Sequence, residues 1–262
     1  MGKSIIIGST SQLSKYFPSN YERISSRNID LDKIKKGEYD SVYILFAEQR
    51  TFLNEDEGFF IDVNVNYTLK IINEIKNYVR RIIIYSTSEL WNNYDGKIFV
   101  GDKYDYNYTP YIKSKEILCN EINERKNEYH NVHIIYPFNF NSPYRKGGFL
   151  FSKVFDSLIY KNINFIGDIN FKRDIIHPTI IVDESITTEF DKIIGCGELI
   201  NVEKLVSDLF DIYNMDFKHY LMNDGNNNLS NIRKNYYSGV GYSTYQDLLK
   251  LTKKDIYEYK TS

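Results

Sequence analysis

The chain is poor in the residues that build metal and redox centres. Its two cysteines, Cys119 and Cys196, lie far apart and neither sits in a Cys-x-x-Cys arrangement. A thiolate-metal or redox motif is therefore excluded, and both read as small buried hydrophobes in a reducing, cytoplasmic setting. The four histidines show no ligand spacing, so no metal site is expected. An excess of one charge is also lacking: 33 Lys and Arg face 35 Asp and Glu, a formal net charge of −2. The short cluster Lys33, Lys35 and Lys36 reads as a solvated helix face, and without a basic stripe nucleic acid has no electrostatic footprint. No apolar run is long enough to cross a bilayer, and the N-terminus opens straight into a strand pattern without a secretory signal. The expectation is a cytoplasmic protein that does not enter membranes.

What the chain does have is alternation of strand-like and helix-like segments. Lys3–Ile7 is a short apolar run ending at Gly8, followed by Ser9, Thr10, Ser11, Gln12, Leu13 and Ser14 and a helical stretch to about Phe17. Strand, small-residue turn and helix form the opening of a dinucleotide-binding unit, where backbone N–H groups and a helix N-terminus meet a pyrophosphate. Glycine is sparse in this turn. At the spacing G-x-x-G-x-x-G stand Gly8, Ser11 and Ser14, and serine lacks free access to positive φ. After a second strand near residues 21–25, Ser25, Ser26 and Arg27 occupy the place where an acidic residue would hold an adenosine ribose. Hydroxyls and a guanidinium suit a 2′-phosphate, which favours NADP(H) over the alternative, NAD(H).

Further strands are expected at residues 41–47, 82–85 and 132–136, with a helix opening at Asp62 and another at Tyr111. The second helix has Thr109 as N-cap and Pro110 in its first turn. From about residue 140 the pattern loosens into a helix over 149–160, a glycine-interrupted strand over 193–200, an amphipathic helix over 202–213, a polar turn at 224–228 and a last helix from 242. The fold class expected is α/β, a doubly wound parallel, Rossmann-like sheet with a small C-terminal substrate lobe. Residues 1–140 would form the dinucleotide-binding domain, and 141–262 a substrate-binding lobe interleaved with the last strands.

Of 24 tyrosines, only Tyr111 is followed four residues later by a lysine, Lys115. That spacing places both on one helix face. At about 4 Å and an effective dielectric near 20, the attraction between ammonium and phenolate is worth roughly 4 kcal/mol, on the order of three pKa units before desolvation. A phenol tuned this way exchanges a proton with a sugar hydroxyl near neutral pH. Some 24 residues earlier the strand over 82–85 runs into Ser86, Thr87 and Ser88, followed by Glu89. In open α/β sheets ligands sit at such strand ends.

Taken in order, these segments resemble the extended short-chain dehydrogenase/reductase family of nucleotide-sugar epimerases, dehydratases and ketoreductases. Gly8 to Ser14 resembles its glycine-rich turn, and Ile44-Leu45-Phe46-Ala47 its cofactor strand. Asn64-Val65-Asn66-Tyr67-Thr68 resembles its Asn-Val-x-x-Thr helix. Ser86 to Trp91 resembles its hydroxyl segment, and Tyr111 to Lys115 its Tyr-x-x-x-Lys. Tyr136 to Pro143 is similar to its Arg-x-x-Asn-x-Tyr-Gly-Pro, and Lys172 to His177 to its Arg-Asp-apolar-apolar-His. The departures are Ser11 and Ser14 for glycine, Tyr136 for arginine, and Asn141-Ser142 for Tyr-Gly.

The resemblance implies an enzyme in which Tyr111 moves the proton, Lys115 lowers the Tyr111 pKa and holds the cofactor ribose, and Thr87 hydrogen-bonds the reacting oxygen. Glu89 would be available as a base. Cofactor contacts would come from Gly8, Ser9, Thr10, Ser11, Gln12, Leu13, Ser26, Arg27, Phe46, Ala47, Asn64, Tyr85, Ser86, Lys115 and Tyr136. Ser88, Asn139, Arg173 and His177 would contact the substrate. Dehydratases of the family carry an Asp-Glu pair after the catalytic threonine; here the pair is Ser88-Glu89, which argues against dehydration. The reaction expected is NADPH-dependent reduction of a 4-keto nucleotide sugar. The alternatives are an epimerase with retained NAD, or a cofactor-binding scaffold without catalysis. Helices near 64–77 and 111–124 would make a homodimer contact in such a relative.

Overall fold

Strands rich in Ile, Val and Tyr form the centre of the fold. A computed structural model describes residues 2–50, 56–145, 147–225 and 234–261. The chain begins with β1 (Lys3–Ile7), β2 (Glu22–Ile24), α1 (Leu31–Lys36) and β3 (Tyr39–Ile44). A helix follows in three parts: α2 (Glu57–Ile61), a π-helical turn over Asp62–Asn66, and α3 (Tyr67–Ile75). Then come β4 (Arg81–Tyr85), β5 (Gly96–Ile98), α4 (Pro110–Glu124), β6 (Val132–Pro137) and β7 (Asn139–Phe140). The rest of the chain forms α5 (Leu150–Tyr160), β8 (Asn164–Ile166), β9 (Lys172–Arg173), β10 (Ile175–Ile176), α6 (Pro178–Thr187), β11 (Lys192–Ile194), β12 (Ile200–Asn201), α7 (Val202–Asp211), β13 (Leu221–Asn223), β14 (Tyr236–Ser238) and α8 (Tyr245–Thr261).

The main sheet has six strands in the order β11-β6-β4-β3-β1-β2. The pairs β1–β2, β1–β3, β3–β4 and β4–β6 are parallel. Parallel sheets are covered on both faces, so their strands are largely apolar; every residue of β4 and of β6 is buried. Because β2 and β3 flank β1 on opposite sides, the winding reverses there. The carboxyl ends of β1 and β3 thus form the topological switch point at which open α/β sheets bind ligands.

The chain folds as two units. The first is Met1–Trp91, Lys103–Pro137 and Val182–Ile193, and the second is Asn92–Asp102, Phe138–Ile181 and Ile194–Ser262. Residues 92–102 join the second unit because β5 pairs in parallel with β14, a long-range pairing that hydropathy does not reveal. The second unit has its own core, with Val154, Leu158, Val206, Phe210 and Ile256 fully buried.

Three segments differ from the sequence expectation. The helix after the first turn is only a 3₁₀ turn, Gln12–Tyr16. Pro18 forces the preceding Phe17 into extended geometry (φ −71°, ψ 152°), and Arg23 of β2 donates to the carbonyls of Ser14, Phe17, Pro18 and Tyr21. The helix expected to open at Asp62 starts at Glu57, where the Asp56 carboxylate accepts from the Phe59 N–H at 2.8 Å. The strand expected over 193–200 is split into β11 and β12 because the Asp174 carboxylate takes the N–H groups of Cys196 and Gly197 out of any ladder. Part of the expected polar turn at 224–228 lies outside the described residues.

Candidate active site

At the end of β1, Gly8 has φ +111°, and a Cβ there would lie 3.0 Å from the Phe46 nitrogen. Both the backbone conformation and the approach of the segment after β3 therefore require glycine. The N–H groups of Gly8 and Ser9 donate to the Ile24 carbonyl at 2.9 and 3.0 Å, tying the turn to β2. The Ser11 N–H donates to the Gly8 carbonyl at 2.9 Å. Ser9, Ser11 and Gln12 are half-exposed, Thr10 is exposed, and Leu13 is buried. The Thr10 N–H has no acceptor among the described residues. Ser14, at the third glycine position, is fully buried and its hydroxyl has no partner among the described residues.

At the end of β2 the Ser26 carbonyl accepts from the Tyr67 hydroxyl at 2.7 Å, and the Ser25 hydroxyl accepts from the Arg27 N–H at 3.2 Å. Arg27 is exposed, and its guanidinium has neither ion pair nor hydrogen bond among the described residues. The acid in this loop, Asp30, is committed elsewhere: its carboxylate caps α1 by accepting from the Lys33 N–H at 3.0 Å. After β3, Phe46 is half-buried with its ring 5.5 Å from that of Tyr67, and Ala47 is exposed.

Asn64 ties this end of the sheet to α4. It lies in the π-helical turn and is 1% exposed. Its Oδ1 accepts from the Glu48 N–H at 2.8 Å, and its Nδ2 donates to the Glu48 carbonyl and the Ser114 hydroxyl, both at 2.9 Å. Ser114 in turn donates to the Tyr111 carbonyl at 2.7 Å. The amide expected at the cofactor is thus spent on holding the segment after β3 against the helix of Tyr111.

Helix α4 begins as its sequence predicts, with the Thr109 hydroxyl accepting from the Ile112 N–H at 3.2 Å and Pro110 in the first turn. It carries a half-buried Tyr111 and, one turn on, a Lys115 only 3% exposed. The Lys115 Nζ donates to the Tyr85 carbonyl at the end of β4 at 2.7 Å. Burial disfavours its charged form and brings the pKa down to about 8, so the ammonium is still the major form at neutral pH. Thr87 is 9% exposed, and its Oγ1 accepts from the Glu89 N–H at 3.2 Å. Ser86 and Ser88 are buried, and Glu89 is half-buried in the 3₁₀ turn Ser88–Trp91. The Tyr85 side chain is buried. So is Tyr136, whose hydroxyl meets that of Tyr104 at 3.0 Å.

The substrate residues expected in the second unit have these surroundings. Asn139 is half-buried and its Nδ2 reaches the Asp174 carbonyl at 3.5 Å. Arg173 is 6% exposed, donates to the Lys172 carbonyl at 2.6 Å and stacks on Phe171. His177 is 1% exposed: its Nδ1 accepts from the Thr179 N–H at 3.3 Å while Nε2 meets the Asp255 carboxylate at 3.1 Å. With Nδ1 accepting, Nε2 carries the proton and pins α8. Sequence reasoning missed Ser114, Cys119 and Tyr104, whose roles depend on partners distant in sequence. The one local signal was Cys119 standing a single turn after Lys115.

A sequence profile of the NAD dependent epimerase/dehydratase family matches residues 17–183. The chain belongs to this family. Its members are enzymes, and the match begins beyond the glycine-poor first turn. No curated protein matches the chain. Among solved structures, a UDP-N-acetylglucosamine 4-epimerase from Methanobrevibacter ruminantium M1, in complex with UDP-N-acetylmuramic acid, superposes with a TM-score of 0.78 at 13% identity, over 99% of this chain and 98% of that one. RMD from Pseudomonas aeruginosa, complexed with NADPH, gives 0.78 at 12% identity, over 99% and 100%. DesIV, a dTDP-glucose 4,6-dehydratase from Streptomyces venezuelae with NAD and TYD bound, gives 0.76 at 16% identity, over 99% and 98%. At these identities the likeness establishes the shared Rossmann-like fold of this epimerase/dehydratase family member.

Proposed function

We propose that the protein is an NADPH-dependent reductase of a 4-keto nucleotide sugar. One observation carries the choice of dinucleotide: the Arg27 guanidinium at the end of β2 is unpaired among the described residues, while the acid of this loop, Asp30, caps α1. A guanidinium matches a 2′-phosphate and a carboxylate does not. The turn fits a pyrophosphate, with Gly8 admitting close approach of backbone and the Thr10 N–H lacking an acceptor among the described residues.

NADPH, when bound, supplies the hydride. Tyr111 gives its phenolic proton to the sugar oxygen as the carbonyl becomes a hydroxyl. Lys115, charged below pH about 8, supports the phenolate left on Tyr111 and is oriented by the Tyr85 carbonyl. Thr87 already accepts the Glu89 N–H on its oxygen, so its own O–H is left to donate to the sugar oxygen. Ser88, where dehydratases carry an aspartate, has no carboxyl to assist loss of water.

The family match favours a second reading, an epimerase that retains NAD. Mixing the protein with NADPH and a panel of 4-keto-6-deoxy nucleotide sugars separates the two. The reductase reading predicts loss of reduced-dinucleotide absorbance, at least about tenfold faster with NADPH than NADH, a preference that Arg27→Asp reverses. Isomerised product without net consumption, from protein that carries NAD through purification, establishes the epimerase instead. No turnover across the panel removes the reductase.

A further inference from the structure

Lys115 is not the only side chain by which α4 grips the end of β4. One turn later the fully buried Cys119 donates its S–H to the Ser86 hydroxyl at 3.1 Å. Lys115 holds the carbonyl of Tyr85 and Cys119 the side chain of Ser86, so two consecutive residues are fastened immediately before Thr87. The Ser86 N–H also donates to the Ile135 carbonyl of β6 at 2.8 Å. Two phenols, Tyr104 and Tyr136, lie close to the thiol, their hydroxyls 3.0 Å apart. Trp91 packs edge-on against both rings at 5.2 and 5.3 Å. The hydroxyl of Tyr136 is thus engaged by that of Tyr104. Tyr104 lies in the irregular segment that leads into α4, where Tyr106 also donates to Glu116 at 2.6 Å and Tyr108 to Glu57. These two bonds anchor the approach to Tyr111 separately.

We propose that Cys119 is a positioning residue for Thr87: it clamps the end of β4 to α4, and the Tyr104–Tyr136 pair holds the thiol in place. The inference rests on the functional reading above, since Thr87 must meet the same oxygen as Tyr111. Misplacement of a reacting group by about 1 Å costs on the order of 100-fold in rate, so a loosened strand end lowers turnover without touching dinucleotide binding.

The test compares Cys119→Ala, Cys119→Ser and Tyr104→Phe for kcat, KM, NADPH affinity and hydrogen exchange over residues 86–89. In Cys119→Ala, kcat falls at least about tenfold, with NADPH affinity unchanged and faster exchange at 86–89. Cys119→Ser, which keeps a donor to Ser86, restores most of both. Tyr104→Phe, a substitution at a half-exposed site, shows a smaller loss of the same kind. The clamp is overturned by unchanged kcat in Cys119→Ala, by equal losses in the Ala and Ser variants, or by unchanged exchange. If the wild-type protein turns over no nucleotide sugar, the functional reading fails on its own. The exchange comparison then decides the clamp alone: faster exchange in Ala but not Ser keeps it, and no difference ends it.

Discussion

Lys115 is a lysine buried against its own charge. Its pKa is held down to about 8 by burial, and its one direct bond among the described residues is to the Tyr85 carbonyl. The unfolded chain would release this proton only near the ordinary lysine value, about 10.4. Between those values the unfolded state binds more protons than the native one, so this group makes stability rise with pH from about 8 upward. Below that window the full burial penalty applies. Lys115→Met without dinucleotide should thus be inactive yet more stable than wild type at pH 7, by about 2 kcal/mol. The difference should shrink as pH rises toward 10, and urea unfolding at several pH values measures it. A destabilised Met variant at pH 7 contradicts this view. Ser14, whose buried hydroxyl has no partner among the described residues, gives a second case: Ser14→Ala should raise stability by about 1 kcal/mol. That Tyr111 and Lys115 stand one turn apart on α4 was legible in the sequence, because the cap, the first-turn proline and the four-residue offset are all local. Cys119 was not, because its partner Ser86 is 33 residues away.

Among the helices and strands, legibility followed how local the cause was. Helix α4 could be read from Thr109 and Pro110, since a cap and a first-turn proline act within four residues. The strands of the main sheet could be read from runs rich in Ile and Val, whereas short pairs such as β5–β14 and β8–β13 could not. The short turn Gln12–Tyr16 could not, because Arg23 of another strand satisfies the carbonyls at its end. Nor could the π-helical turn that aims Asn64 at Glu48 and Ser114. Two variants test these elements. Gly8→Ala must place a Cβ 3.0 Å from the Phe46 nitrogen at φ +111°, so a loss of about 2 kcal/mol or more is expected in thermal unfolding, together with loss of NADPH binding. Asn64→Ala leaves the Glu48 N–H without its acceptor, a loss of about 1–3 kcal/mol. Its NADPH affinity should weaken, because the Phe46–Ala47 segment directly precedes the anchored Glu48. Stability equal to wild type in either variant contradicts the roles assigned.

Taken whole, the chain leaves and re-enters each unit more than once, and within the second unit a polar knot ties together segments distant in sequence. There the fully buried Asp174 accepts N–H bonds from Cys196 at 2.6 Å, Gly197 at 3.1 Å and Ser238 at 2.9 Å. Burial raises its pKa to about 6 despite those bonds. From about pH 4 to 6 the native state then binds more protons than the unfolded chain, so this group makes stability fall as pH rises through that window. Asp174→Ala strands three donors at once and should lower stability by at least about 3 kcal/mol, read as a fall in Tm. The parallel sheet was visible in the alternation of strands and helices, whereas the excursion of residues 92–102 into the second unit depends on the β5–β14 pairing. Among the described residues no helix is long and apolar enough to cross a membrane.

Proton transfer from the Tyr111 phenol is the step on which the proposed dinucleotide-dependent reduction depends. It is read by single-turnover reduction of a 4-keto nucleotide sugar by NADPH, measured for wild type and Tyr111→Phe. The rate should be at least about 100-fold lower in the Phe variant, with NADPH affinity within a factor of about two of wild type. A Tyr111→Phe protein that reduces the sugar at the wild-type rate would refute the proton-donor role.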